Sequence, residues 1–188
     1  MSTFKTTHEL PVRPLRRTEY EALGRQGAFE DEKVELLDGQ IVYAADEGPP
    51  HAAVCSRLNR ILIEALPADE AQVRVGNPFA MSDVSEPEPD FLVAPPDVRN
   101  YRGGHPQNAS LVIEVSHTSR ARDLGPKARL YAEAGVTDYW VVDVAHDQVI
   151  VHRDPAGDVF ASVTRHREDV VRAVHHPQVE VDVRDLLR

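Results

Sequence analysis

The sequence predicts an α/β fold containing a parallel strand pair, and three observations carry that prediction. "LVIEVS" (111–116) and "DYWVVDV" (138–144) are almost continuously apolar, as strands covered on both faces are. Between them, "LGPKARLYAEAG" (124–135) has the spacing of a helix. Strand, helix and strand in that rhythm form a crossover unit, whose strands run parallel. A chain of 188 residues suits one domain, and neither an internal repeat nor a low-complexity segment argues otherwise.

The elements follow in order. Residues 1–16 are polar and proline-bearing and read as an N-terminal arm, leaving 17–188 as the single domain. "RTEYEALGRQG" (17–27) reads as a short helix, with Thr18 as the N-cap candidate and Gly24 or Gly27 as the stop. Asp38-Gly39, between the apolar runs of "KVELLDGQIVYAA", is a strong hairpin signal. "EGPP" (47–50) interrupts the chain. Residues 51–66 place Ala52, Cys55, Leu58, Ile61, Leu62 and Leu66 at helical spacing. Short strands are expected at 71–76 and 90–96, with "SEPEP" and the polar stretch 97–109 as loops. In the helix over 124–135, Pro126 suits the first turn and Gly135 the stop. A late hairpin turns around Asp154 to Asp158, and the tail ends in a strand and a short turn.

The formal net charge is −10, so the surface as a whole repels nucleic acid. Contact with DNA or RNA would need a bound cation or a local basic patch, for which Arg13, Arg16 and Arg17, or Arg120, Arg122 and Arg129, are available. A single cysteine, Cys55, excludes an intrachain disulfide and fits a reducing cytoplasm. With one cysteine and histidines lacking paired ligand spacing, no zinc site is expected. The first residues lack the apolar core of a signal peptide, and no stretch approaches the roughly 20 apolar residues that span a bilayer.

Three carboxylates sit beside apolar strand residues: Glu35 in "VELLDG", Asp90 in "EPDFLV" and Glu114 in "VIEVS". Burying a carboxylate is costly unless something compensates it, and a shared cation would do so. Oxygen ligands of this kind suit Mg²⁺. Taken singly, Glu35 also suits a solvated hairpin position and Asp90 a turn. Lys127 falls in the first turn of its helix, where the macrodipole disfavours a cation, and on the helix edge beside Leu124, Tyr131 and Ala134, the expected packing face. Its truncation is therefore expected to leave the fold intact. Asp123 could cap that helix or pair with Lys127, His51 and His117 could face a cleft, and Asp143 reads as structural. Ser116 and Ser119 have no histidine and acid arranged as a triad and read as turn-capping residues.

The order of these residues is more specific than any one of them. An acid before "LLDG", His51 opening a helix, Pro89-Asp90, "IEVSHTS" followed by Asp123, Lys127 and Tyr131, then "AGVTDYWVVD", resembles the Uma2 family of the PD-(D/E)XK nuclease superfamily. The resemblance spans roughly residues 17–185. It implies a restriction-endonuclease-like core, a mixed sheet with helices on both sides, and hydrolysis of phosphodiesters, most naturally in DNA, with Mg²⁺ or Mn²⁺. It makes Asp90, Glu114 and Glu35 the metal ligands. The superfamily's lysine, two residues after the second acid, is Ser116 here, and Lys127 on the next helix takes its place. A homodimer is expected, since cutting both strands of a duplex commonly needs two active sites. A catalytically silent interaction module and a hydrolase of smaller phosphoesters are the competing readings.

Overall fold

The structure, a computed structural model, describes residues 12–44 and 47–188. Most of the proposed arm, residues 1–11, lies outside the described residues. Its last residues run against the first hairpin, with the Leu15 N–H donating to the Gly39 carbonyl at 2.9 Å. Helix α1 (Arg17–Arg25) follows. Its N-cap is Arg16 rather than Thr18, because the Glu19 carboxylate accepts the Arg16 N–H at 2.9 Å and closes the first turn from inside. Strands β1 (Val34–Leu37) and β2 (Gln40–Tyr43) form the expected hairpin. Asp38 and Gly39 both take positive φ, 51° and 74°, as this tight turn requires.

Helix α2 (Pro49–Ala65) begins on the two prolines that were expected to interrupt the chain. The first turn of a helix needs no partner for its N–H groups, and proline's fixed φ favours it there. Its buried stripe is His51, Val54, Leu58 and Leu62, whereas Ala52 is exposed and Cys55 half-buried. The packing face is thus turned slightly from the expected one, and it carries His51 inward.

Six strands make the central sheet, in the order β3-β4-β5-β6-β7-β8. These are β3 (Gln72–Val75), β4 (Phe91–Ala94), β5 (Leu111–Ser116), β6 (Asp138–Asp143), β7 (Gln148–Ala156) and β8 (Val159–His166). The β5–β6 pair is parallel, as the crossover predicts, and the other pairs are antiparallel. Side chains alternate across the strands. Ile113, Val115, Trp140 and Val142 meet α2 on one face, together with the ribbon β9 (Val170–Arg172) and β10 (Glu180–Asp182) and helix α5 (Val183–Leu187). Val112, Tyr139 and Val141 face the other side, against Ala128 and Tyr131.

The crossover helix differs from its predicted form. It opens with α3 (Arg120–Arg122), widens into a π-helical turn over Asp123–Lys127, and resumes as α4 (Ala128–Glu133). Pro126 has no N–H to give an α-helical ladder, and the wide turn accommodates it inside the helix instead of at its start. Lys127 is therefore not in a first turn. It lies deep in the helical segment, and it is buried.

Candidate active site

Glu114 occupies the middle of β5 and, by strand alternation, points to the α4 side, only 4% exposed. Its Oε1 accepts two hydrogen bonds, from Lys127 Nζ at 2.9 Å and from the Tyr131 hydroxyl at 2.8 Å. The same Nζ lies 3.0 Å from Glu35 Oε2. One ammonium thus joins the first hairpin to the central strand. Glu35 Oε2 also accepts the Glu88 N–H at 3.3 Å, and Glu35 Oε1 lies 3.4 Å from Arg122 Nη1.

Asp90 stands just before β4. Phe91 pairs with Ile113, so continuing the register sets Asp90 opposite Glu114. Asp90 Oδ2 accepts the Val115 N–H at 2.6 Å, and Oδ1 meets His51 Nε2 at 3.0 Å. Glu35, Asp90 and Glu114 line one cavity of about 40 Å³, with Glu88, His51 and His117 also on its wall. That is room for an ion or a water or two. Lys127 does not line it, and stands behind the carboxylates it binds. The expected position in a first turn at the helix edge is corrected by this geometry: Lys127 closes the π turn that holds Pro126 and is buried between two acids.

The electrostatics follow from the count of buried charges. Burial pushes the Glu114 carboxyl up to about 8, against the pull of Lys127, and Asp123, Asp90 and Glu35 add to the rise. Burial alone would lower Lys127, but Glu114, Glu35 and Asp123 outweigh it and hold its pKa above the ordinary lysine value. Burial also raises Glu88, helped by Glu35, and raises Asp123. His51 is raised by its hydrogen bond to Asp90. Carboxylates outnumber cations here, so the site favours additional positive charge. The donor set fits a hard divalent ion: carboxylate oxygens on one small cavity, with Glu35 Oε1 buried and lacking a hydrogen-bond donor.

The remaining candidates separate. Asp123 neither caps a helix nor reaches the Lys127 ammonium within ion-pair distance; it is buried in the π turn and takes the Ser119 hydroxyl. Asp143 binds Arg120 at 2.7 Å, His146 at 2.8 Å and Gln148 at 2.9 Å, which is a structural role. Of the six arginines available for a nucleic-acid patch, five are engaged with acids: Arg13 with Glu19, Arg17 with Glu21, Arg120 with Asp143, Arg122 with Glu35, and Arg129 with Asp38 and Glu133, while Arg16 is exposed and makes no ion pair among the described residues. Glu88 falls in the expected loop "SEPEP", and nothing in its local pattern marks it as part of a site. His51 had a signal, since the helical phase 51, 54, 58, 62 places it on the buried stripe.

Comparison with known proteins matches the family described as "Uma2: Putative restriction endonuclease" over residues 17–184. The chain belongs to the Uma2 family. A crystal structure of "a putative nuclease belonging to DUF820" from Anabaena variabilis superposes with a TM-score of 0.71 at 17% identity, covering 93% of this chain and 98% of that one. At that identity the likeness shows the fold, which the Uma2 chain shares. No curated protein sequence matches. Among the described residues no helix of this Uma2 protein is long and apolar enough to cross a membrane.

Proposed function

We propose that this Uma2 protein is a metal-dependent endonuclease that hydrolyses phosphodiester bonds in DNA. The observation that carries the reading is the meeting of Glu35, Asp90 and Glu114 on one cavity, with Lys127 bound to two of them. Asp90, Glu114 and Glu35 would hold Mg²⁺ or Mn²⁺. When bound, such an ion would polarise a scissile phosphate and lower the pKa of an attacking water. The chain's own residues prepare the place. Lys127 and Tyr131 take Oε1 of Glu114, so Oε2 is the oxygen that would be left for an ion. His51 and the Val115 N–H fix the Asp90 carboxylate. Lys127, behind the cavity wall, keeps a fixed positive charge on both glutamates and would hold their carboxylates in place for the ion.

The test is cleavage of plasmid and short oligonucleotides with Mg²⁺ or Mn²⁺, alongside melting with and without metal. The parent should cut, and metal should raise its melting temperature. Asp90→Asn and Glu114→Gln should each reduce cleavage by on the order of 10²-fold or more and remove the metal-induced rise. If the parent cuts nothing and metal moves no melting curve, the fold serves as an interaction module. The arginines already paired with acids favour a second substrate class, a smaller phosphoester. Salt separates the two, because affinity for DNA falls steeply as ionic strength rises.

A further inference from the structure

Next to the oxygen-lined cavity lies a set of donors of different character. His51 and Cys55 are one turn apart on α2, and both face Asp90. His51 Nε2 is 3.8 Å from Cys55 Sγ and 3.0 Å from Asp90 Oδ1, and one atom from each residue lies within 4.8 Å of the other two. Around a tetrahedral zinc ion, with bonds of about 2.3 Å to sulfur and about 2.1 Å to nitrogen or oxygen, the sulfur–nitrogen separation is about 3.6 Å and the nitrogen–oxygen separation about 3.4 Å. Two of the three separations, nitrogen to sulfur and nitrogen to oxygen, stand within about 0.4 Å of those values, and sulfur and carboxylate lie within 4.8 Å of each other, so the Cys55 side chain, which now rests against the His51 ring 3.6 Å from Nδ1, would have to turn to close the site. Glu47 Oε2 lies 3.9 Å from His51 Nδ1, an electrostatic neighbour beyond hydrogen-bond distance. Thiolate, imidazole and carboxylate together select zinc-like ions over magnesium.

We propose that His51, Cys55 and Asp90 form a zinc site that shares Asp90 with the hydrolytic site, so that zinc occupancy withdraws Asp90 and silences the enzyme. The spacing rule that spoke against zinc looked only along the sequence, and the third ligand comes from a different segment. On coordination the Cys55 thiol gives its proton to solvent, and the sulfur lone pair makes the bond to the ion. Zinc binding stands on the donor set alone. The silencing rests on the assignment of Asp90 to the nuclease ion.

Cobalt(II) and manganese(II) test the two parts separately on the full chain. Cobalt titrated into the metal-free protein should produce a sulfur-to-cobalt charge-transfer band in the near ultraviolet, saturating at one ion per chain and abolished by zinc. Cys55→Ser should lose the band. His51→Gln should keep Cys55 yet bind zinc at least tenfold more weakly, as read by competition with a chromophoric chelator. Absence of the band in the parent, or zinc affinity unchanged in both variants, overturns the site. Manganese binding, followed by electron paramagnetic resonance, should be lost as zinc saturates. Manganese that stays bound at zinc saturation overturns the shared ligand. A cobalt band in a protein that binds no manganese supports the zinc site and refutes the nuclease ion instead.

Discussion

Lys127 shows what a single residue does here. Its ammonium is the buried cation held between Glu35 and Glu114. Removing one partner of a buried ion pair leaves uncompensated charge, which costs about 3–5 kcal/mol. Lys127→Met should therefore lower stability by that order, contrary to the neutrality expected for a lysine in a first turn at a helix edge. Divalent metal should restore part of the loss by neutralising the same carboxylates. Urea denaturation with and without Mg²⁺ measures both, and a midpoint equal to the parent's would show that the clasp contributes nothing. Glu86 makes a second case away from the cavity. It is 4% exposed, its Oε2 lacks a hydrogen bond, and burial, then Glu21, pushes its carboxyl up to about 7 against Arg17. Between the unfolded value near 4.5 and about 7, the folded chain binds a proton that the unfolded chain does not. Its contribution to stability thus falls as pH rises through that window and levels off above it. Glu86→Gln should remove that slope, on the order of 2–3 kcal/mol across the window, when melting is compared with the parent's from pH 4.5 to 8.

The elements were legible to different degrees, for physical reasons. The central strands could be read because burial on both faces leaves an unbroken apolar run, and Glu114 stood out by interrupting one. The Asp38-Gly39 hairpin could be read because few residues tolerate that turn. The crossover helix existed as predicted, but its π turn was hidden. A widened turn changes the angular phase of every later residue, and sequence periodicity assumes a constant one. The side on which Lys127 falls, toward Glu114, was legible, but the depth of its burial was not. The meeting of Asp90 with His51 and Cys55 was hidden for another reason, since it depends on how α2 packs against a strand end. Gly39 gives this scale its prediction. Its φ is +74°, and a β-carbon there would stand 2.2 Å from the Pro14 Cβ. Gly135 has a similar φ of +73° but open space around it. Gly135→Ala should cost about 1–2 kcal/mol for the left-handed backbone, and Gly39→Ala clearly more. Equal denaturation midpoints for the two variants would mean that residues 12–16 shift aside freely.

For the whole molecule, the net charge of −10 and the arginines paired with acids leave little to attract a polyanion unless a bound cation offsets the acids of the cavity. A second copy of the chain would place two such cavities on one duplex, and two-fold homodimers are the commonest soluble assembly. Sedimentation at micromolar concentration should show a dimer, and a monomer across that range would count against cleavage of both strands in one encounter. The clasp through Lys127 also bears on the order in which the chain becomes competent. Glu35 is synthesised early, in a hairpin outside the central sheet, and its other anchor, Glu88, is 53 residues further on. Lys127 follows later still, on the crossover that must close before β5 and β6 can pair. A partly made chain holds scattered acids and no assembled cavity. The clasp is thus complete only once the crossover has been synthesised, and a truncated product ending before it carries the acids without their buried cation.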